Sequence, residues 1–135
     1  MDELLKKSGY SKKAIQYFKN KTNVGIIQSP TVSLTYKGDC GDTMKIYLKI
    51  KSNSIVDAKF EAIGCAGAFT AGSALMELIK DKTVTEARKI CELDIINHLG
   101  SVPNKKQDCI YLAIKTLQKT LNSKKGRKKN EYCDS

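Results

Sequence analysis

Met44-Lys45-Ile46-Tyr47-Leu48-Lys49-Ile50-Lys51 puts Met44, Ile46, Leu48 and Ile50 on alternate positions, with lysines and a tyrosine between them. Successive side chains of a strand point to opposite faces, so this period of two reads as a strand with one apolar and one solvated face. Two neighbouring runs repeat the pattern. Val32, Leu34 and Tyr36 alternate with Ser33, Thr35 and Lys37, and Val56, Ala58, Phe60 and Ala62 alternate with Asp57, Lys59 and Glu61. The connections at Gly38–Asp42 and Ser52–Ser54 are short, which favours antiparallel neighbours. The expectation is a three-stranded antiparallel meander.

Outside this core the spacing becomes helical. Upstream, Ser11 to Phe18 reads as a short helix with Ala14, Ile15, Tyr17 and Phe18 on its apolar side, followed by a loop over 20–29. Downstream of Gly64, Ala68, Ala71, Gly72, Leu75, Leu78 and Ile79 repeat at helical intervals. Thr83-Val84-Thr85-Glu86 is a capping-box pattern that opens a shorter helix. Leu93, Ile95, Ile96 and Leu99 suggest another, closed by Gly100. Ile110, Ala113, Ile114, Leu117 and Leu121 form the stripe of a last helix that starts near Lys105. Strands that precede most of the helices predict an α+β fold, with helices covering one face of the sheet. The expected organisation is one domain over residues 1–122 and a basic, disordered tail over 123–135.

The chain has 135 residues, 41% of them apolar, which suits a single domain with a modest core. No stretch approaches a membrane span, and Met1–Lys7 has no apolar run of the secretory kind. These features predict a reducing, cytoplasmic setting with no membrane partner. Of the net charge of +10, the tail at 123–135 supplies +3 and the rest of the chain +7. A basic balance can reflect nucleic-acid binding. Here there is no Trp, only three Phe and no spaced aromatic platform for bases, so nucleic acid is not the expected partner.

Five cysteines in a reducing setting do not make a disulfide framework. Cys40-Gly41-Asp42 occupies the first hairpin connection, and Cys65 falls where the third strand gives way to a helix. Because one strand runs out and the next returns, positions 42 and 64 should meet at the same end of the sheet. Cys109 lies near the start of the last helix, and helix N-termini stabilise thiolate at Cys65 and Cys109. Three thiolates and a carboxylate at one edge would make a tetrahedral metal or iron–sulfur site. Cys91, beside Ile90 in the last turn of an amphipathic helix, reads as a small buried hydrophobe, and Cys133 as an incidental thiol.

These residues resemble the NifU/IscU-type scaffold proteins of iron–sulfur cluster assembly, SufU-like members included. The likeness begins at Tyr10-Ser11 and continues with Asn20-Lys21-Thr22-Asn23-Val24-Gly25, which resembles the family's NPRNVG segment, and Cys40-Gly41-Asp42 is similar to its CGD motif. Asp57-Ala58-Lys59-Phe60 is similar to its third strand, Gly64-Cys65-Ala66 to its second cysteine motif, and Cys109 with Leu112-Ala113 to its third. The resemblance spans about residues 10–121.

It implies a non-enzymatic scaffold that accepts sulfur from a cysteine desulfurase, binds iron, holds a labile [2Fe–2S] cluster and transfers it to apoproteins. Cys40, Cys65 and Cys109 would be its ligands and sulfur acceptors, and Asp42 the fourth, conditional ligand. Zinc can occupy the same apo site, and the alternative within the family is a SufU-like, zinc-dependent persulfide acceptor. A homodimer around a shared cluster is a further arrangement of this kind.

Three departures stand out. Asp108 takes the place of the His that many members carry before the third cysteine, which makes Asp108 an alternative oxygen ligand. The lone His98 reads as exposed or as a satisfied structural residue. The LPPVK chaperone-recognition stretch is reduced to Val102-Pro103-Asn104-Lys105-Lys106, which argues against a dedicated Hsp70-type partner. The SufU-type insertion before the third cysteine is absent.

Overall fold

A computed structural model describes residues 11–38, 41–64, 66–100 and 107–123. Helix α1 (Lys12–Asn20) leads into strands β1 (Val32–Lys37), β2 (Thr43–Lys51) and β3 (Ser54–Ile63). Helices α2 (Ala66–Ile79), α3 (Val84–Ala87), α4 (Glu92–Leu99) and α5 (Gln107–Ser123) follow. The sheet is antiparallel throughout, in the order β1-β2-β3. This is the α+β meander that the alternation predicts. Ser123, expected to open the basic tail, closes α5, and the rest of that segment lies outside the described residues. Among the described residues no helix is long and apolar enough to cross a membrane.

The apolar positions of the quoted run do form the inner face of the sheet. Met44, Ile46, Leu48, Ala58 and Phe60 have no exposed surface, and α2 and α5 cover them. Each large side chain so buried contributes about 1.5–3 kcal/mol. Helix α4 packs against both covering helices, and α1 against α2. Between β2 and β3 the two turn residues, Ser52 and Asn53, have φ of 49° and 66°. Positive φ at both positions matches the right-handed twist of a hairpin and fixes its register.

The phase of β3 differs from the sequence expectation at Val56. Lys49 pairs with Asp57, but the next residue of β2, Ile50, pairs with Ile55. Val56 is therefore the extra residue of a bulge, and the bulge reverses the alternation beyond it. Ile55 is fully buried while Val56 is 46% exposed.

The loop after α1 has a structural role of its own. Lys21 and Asn23 adopt left-handed φ of 51° and 66°, which turn the chain back toward the sheet. The Phe60 amide donates to the Asn23 carbonyl at 3.0 Å, and the Gly25 amide donates to the Phe60 carbonyl at 2.9 Å. Val24 thereby makes a one-residue parallel bridge to β3. The Asn23 side-chain amide donates to the Ser73 carbonyl and to Glu77, and the Lys80 ammonium donates to its side-chain oxygen.

Candidate metal centre

The β1–β2 connection and the end of β3 build one side of the site. Gly41, at φ 97°, takes a conformation that side chains rarely adopt. The loop is closed by the Gly38 amide donating to the Asp42 carbonyl at 2.9 Å and the Gly41 amide donating to the Gly38 carbonyl at 3.1 Å. Thr43 then pairs with Ile63, so Asp42 and Gly64 leave the sheet side by side. Their proximity is close. A Cβ on Gly64 would lie 2.6 Å from both Cγ and Oδ2 of Asp42.

Helix α5 supplies the other side. Cys109 is its third residue, only 4% exposed, and its thiol donates to Asp42 Oδ2 at 3.8 Å. At the opposite end of α5, the Arg88 guanidinium donates to the Asn122 side chain at 2.8 Å and to the Leu121 carbonyl at 3.4 Å. The buried hydroxyls of Thr116 and Thr120 each donate to the carbonyl four residues back, at 2.7 Å, so that face can pack without unmet polar groups.

Of the residues singled out in the sequence, Asp42 and Cys109 are brought into contact across 67 positions of chain. Cys40 and Cys65 lie outside the described residues, and among those described no group of three or more His, Cys, Asp or Glu side chains is assembled around a metal position. Asp108 is placed differently from Cys109. Adjacent residues point about 100° apart around a helix, and here Cys109 is buried while Asp108 is exposed. Asp108 lines a cavity of about 300 Å³ with Glu92, Ile96, Ile110 and Tyr111. Sequence reasoning passed over Gly64 as a residue with a steric role. The available signal was its position across the hairpin from Asp42.

Cys91 departs from its expected setting. Helix α3 is only Val84–Ala87, so Cys91 is not in a last turn but at the N-cap of α4, and it is partly exposed. Its backbone amide donates to Asp94 Oδ2 at 2.9 Å and its thiol to the same oxygen at 3.6 Å. The chain breaks there because Asp94 satisfies the free amide at the start of the next helix.

His98 is a satisfied structural residue. Its Nε2 shares a 2.7 Å hydrogen bond with the Tyr17 hydroxyl, and the two rings stack at 6.0 Å between centroids. Lys13 donates to the His98 carbonyl at 3.0 Å, so α1 is tied to α4 by two bonds. Burial pushes the His98 pKa below the ordinary imidazole value, nearby Lys13 pushes it further down, and Glu77 opposes them. The unfolded chain therefore takes up the proton more readily. The stability from neutral His98 is fully present above about pH 6.5 and is lost as pH falls below that value. Urea-unfolding midpoints should fall between pH 7 and pH 5, and less steeply in His98→Asn. An equal fall in both proteins would assign the acid sensitivity to other groups.

Residues 9–131 match the sequence profile of the NifU-like N-terminal domain family. The chain is 39% identical over 113 residues to the iron-sulfur cluster assembly scaffold protein IscU 1 of Archaeoglobus fulgidus, covering 83% of this chain and 74% of that one. It is 32% identical over 127 residues to the iron-sulfur cluster assembly scaffold protein IscU of Rickettsia prowazekii, covering 90% and 96%. Among solved structures, a Fervidobacterium islandicum protein assigned as a cluster assembly scaffold of the SUF system superposes with a TM-score of 0.68 at 30% identity, covering 83% of this chain and 96% of that one.

Proposed function

The chain belongs to the NifU-like N-terminal domain family, and from that premise we propose that it is a scaffold on which iron–sulfur clusters are assembled and from which they are handed on. The cluster is its cargo, a [2Fe–2S] unit bound by Cys40, Cys65 and Cys109 with Asp42 as the exchangeable fourth donor. One observation carries this reading: the Asp42 carboxylate and the Cys109 thiol meet at 3.8 Å beside Gly64. The sequence supports adding the other two thiols, because consecutive Cα atoms are about 3.8 Å apart across a trans peptide and both cysteines are close neighbours of described site residues. Cys65 follows Gly64 directly, and Cys40 precedes Asp42 by two residues.

The donor set fits the cargo. Thiolates are soft ligands suited to iron–sulfur clusters, whereas a carboxylate is harder and binds them less firmly. A carrier needs this combination, since a cluster held by four thiolates is harder to release. Sulfur arrives when a scaffold thiolate attacks the outer sulfur of a cysteine desulfurase persulfide and the enzyme thiolate leaves. Conversion of that sulfur to sulfide takes two electrons from a separate reductant. Recipient apoproteins then take the assembled cluster.

Anaerobic reconstitution with iron, cysteine, a desulfurase and a thiol reductant tests the proposal. Visible absorption with iron and sulfide in equal amounts is the expected result. Stoichiometric zinc without sulfide would instead favour the persulfide-acceptor reading, which the likeness to a SUF-system protein keeps in view. The same preparation tests Asp42. Asp42→Ala should slow loss of the cluster to a chelator by about tenfold, the equivalent of ~1.4 kcal/mol. Faster loss from the variant would count against a labile carboxylate donor.

A further inference from the structure

Gly64 lies between two features whose chemistry is accounted for above, the end of β3 and the Asp42 carboxylate. Its own contribution is an empty space. A Cβ built on Gly64 would be 2.6 Å from Cγ and Oδ2 of Asp42 and 3.0 Å from its Cβ. Carbon atoms in contact sit at about 3.5–4.0 Å, so no side chain fits while the carboxylate keeps its place. The same Oδ2 accepts from the Cys109 thiol at 3.8 Å. The carboxylate therefore occupies the space that a side chain at position 64 would fill, and from there it reaches α5.

We infer that Gly64 is a positioning residue, whose missing side chain holds the Asp42 carboxylate over Cys109 and thereby sets how readily the cluster is released. The inference rests on the proposed cluster site and adds to it a residue that binds nothing. The two closest obstructions to a methyl group at position 64, Cγ and Oδ2, belong to a carboxylate that can rotate away, whereas Asp42 Cβ at 3.0 Å asks the backbone to give by only a few tenths of an ångström, and does so equally when residue 42 is Ala. Gly64→Ala should therefore fold, with the Asp42 carboxylate swung away from Cys109. The substitution becomes a way of moving Asp42 without altering it. Other effects of an added methyl, including the lower entropy of the unfolded chain, act equally whether residue 42 is Asp or Ala.

A double-mutant cycle isolates the coupling. The unaltered chain, Gly64→Ala, Asp42→Ala and the double variant are compared first without metal, by thermal unfolding. The alanine at position 64 should lower the midpoint by about 4 °C more when residue 42 is Asp than when it is Ala, as losing about one hydrogen bond would in a domain of this size. Equal shifts in the two backgrounds would overturn the steric coupling. The second measurement is the rate of cluster loss to a chelator after anaerobic reconstitution. Gly64→Ala should slow it to the same extent as Asp42→Ala, and the double variant no further.

A Gly64→Ala protein that loses its cluster at the unaltered rate, despite coupling in the unfolding cycle, would overturn the positioning role. If none of the four proteins, the unaltered chain included, takes up a cluster, the scaffold reading itself fails. The unfolding cycle needs no cargo and still decides the contact.

Discussion

Cys109→Ser should reduce the cluster recovered after anaerobic reconstitution by about tenfold or more, a loss of at least ~1.4 kcal/mol in binding. Serine preserves the shape of the side chain but replaces a soft, ionisable sulfur with a hydroxyl that stays protonated at neutral pH. Cys109 is 4% exposed and contacts Asp42, so the isosteric change should leave the fold intact while removing the proposed ligand. Cys40→Ser and Cys65→Ser are expected to have similar effects. Cys91→Ser is the control. Cys91 stands at the N-cap of α4 with its thiol on the Asp94 carboxylate, and Ser is a strongly preferred N-cap residue, so this variant should load normally and be no less stable. The test compares visible absorption and iron and sulfide contents across the four proteins. Full loading of Cys109→Ser would remove it from the ligand set.

The largest effect on stability is expected at Gly72→Ala. This glycine lies in α2 opposite Phe60, and a Cβ there would be 2.5 Å from Cε2 and 2.7 Å from Cδ2 and Cζ of that ring. Unlike Asp42, Phe60 has nowhere to swing. It is fully buried and packs at 6.2 Å from the ring of Phe69, which in turn meets Phe18 at 6.1 Å. Overpacking of this kind costs about 1–3 kcal/mol, sometimes more, against a helix-propensity gain of about 1 kcal/mol for replacing Gly by Ala. A net loss of about 1–2 kcal/mol is expected by chemical denaturation. Shrinking the obstacle with Phe60→Leu should make the Gly72→Ala change less costly than it is alone. A stabilised Gly72→Ala protein would mean that the helix can shift outward to admit the methyl.

These two glycines illustrate what was legible in the sequence. Gly72 belongs to the helical stripe, and its spacing shows that it faces the sheet, but the partner ring 12 residues earlier depends on how α2 lies across β3. The strands were readable because alternation is local, and the closeness of positions 42 and 64 followed from hairpin logic. The limit of that logic was Val56, where a bulge shifted the phase without any glycine or proline to announce it. Cys91 was misplaced for a related reason: Thr83 and Glu86 mark a helix start clearly, but nothing as strong marks its end at Ala87. Contacts that close long loops were beyond reach. The pairing of Tyr17 with His98 spans 81 residues, and that of Asp42 with Cys109 spans 67. The motif likeness, rather than periodicity, brought Cys109 to the site.

The short bridge from Val24 to Phe60 has a consequence for how this sheet could be extended. Unpaired strand edges invite other polypeptides to add on, and natural sheets block them with covering segments or charged residues. At β3 the chain has used its own 23–25 segment as that cover, with Asn23 fastened to α2 by side-chain bonds. Among the described residues, β1 has no such cover on its outer side. A further strand would therefore find backbone partners along Val32–Lys37 rather than along β3. Among the described residues, the sheet has one margin sealed by its own chain and one with no strand laid against it.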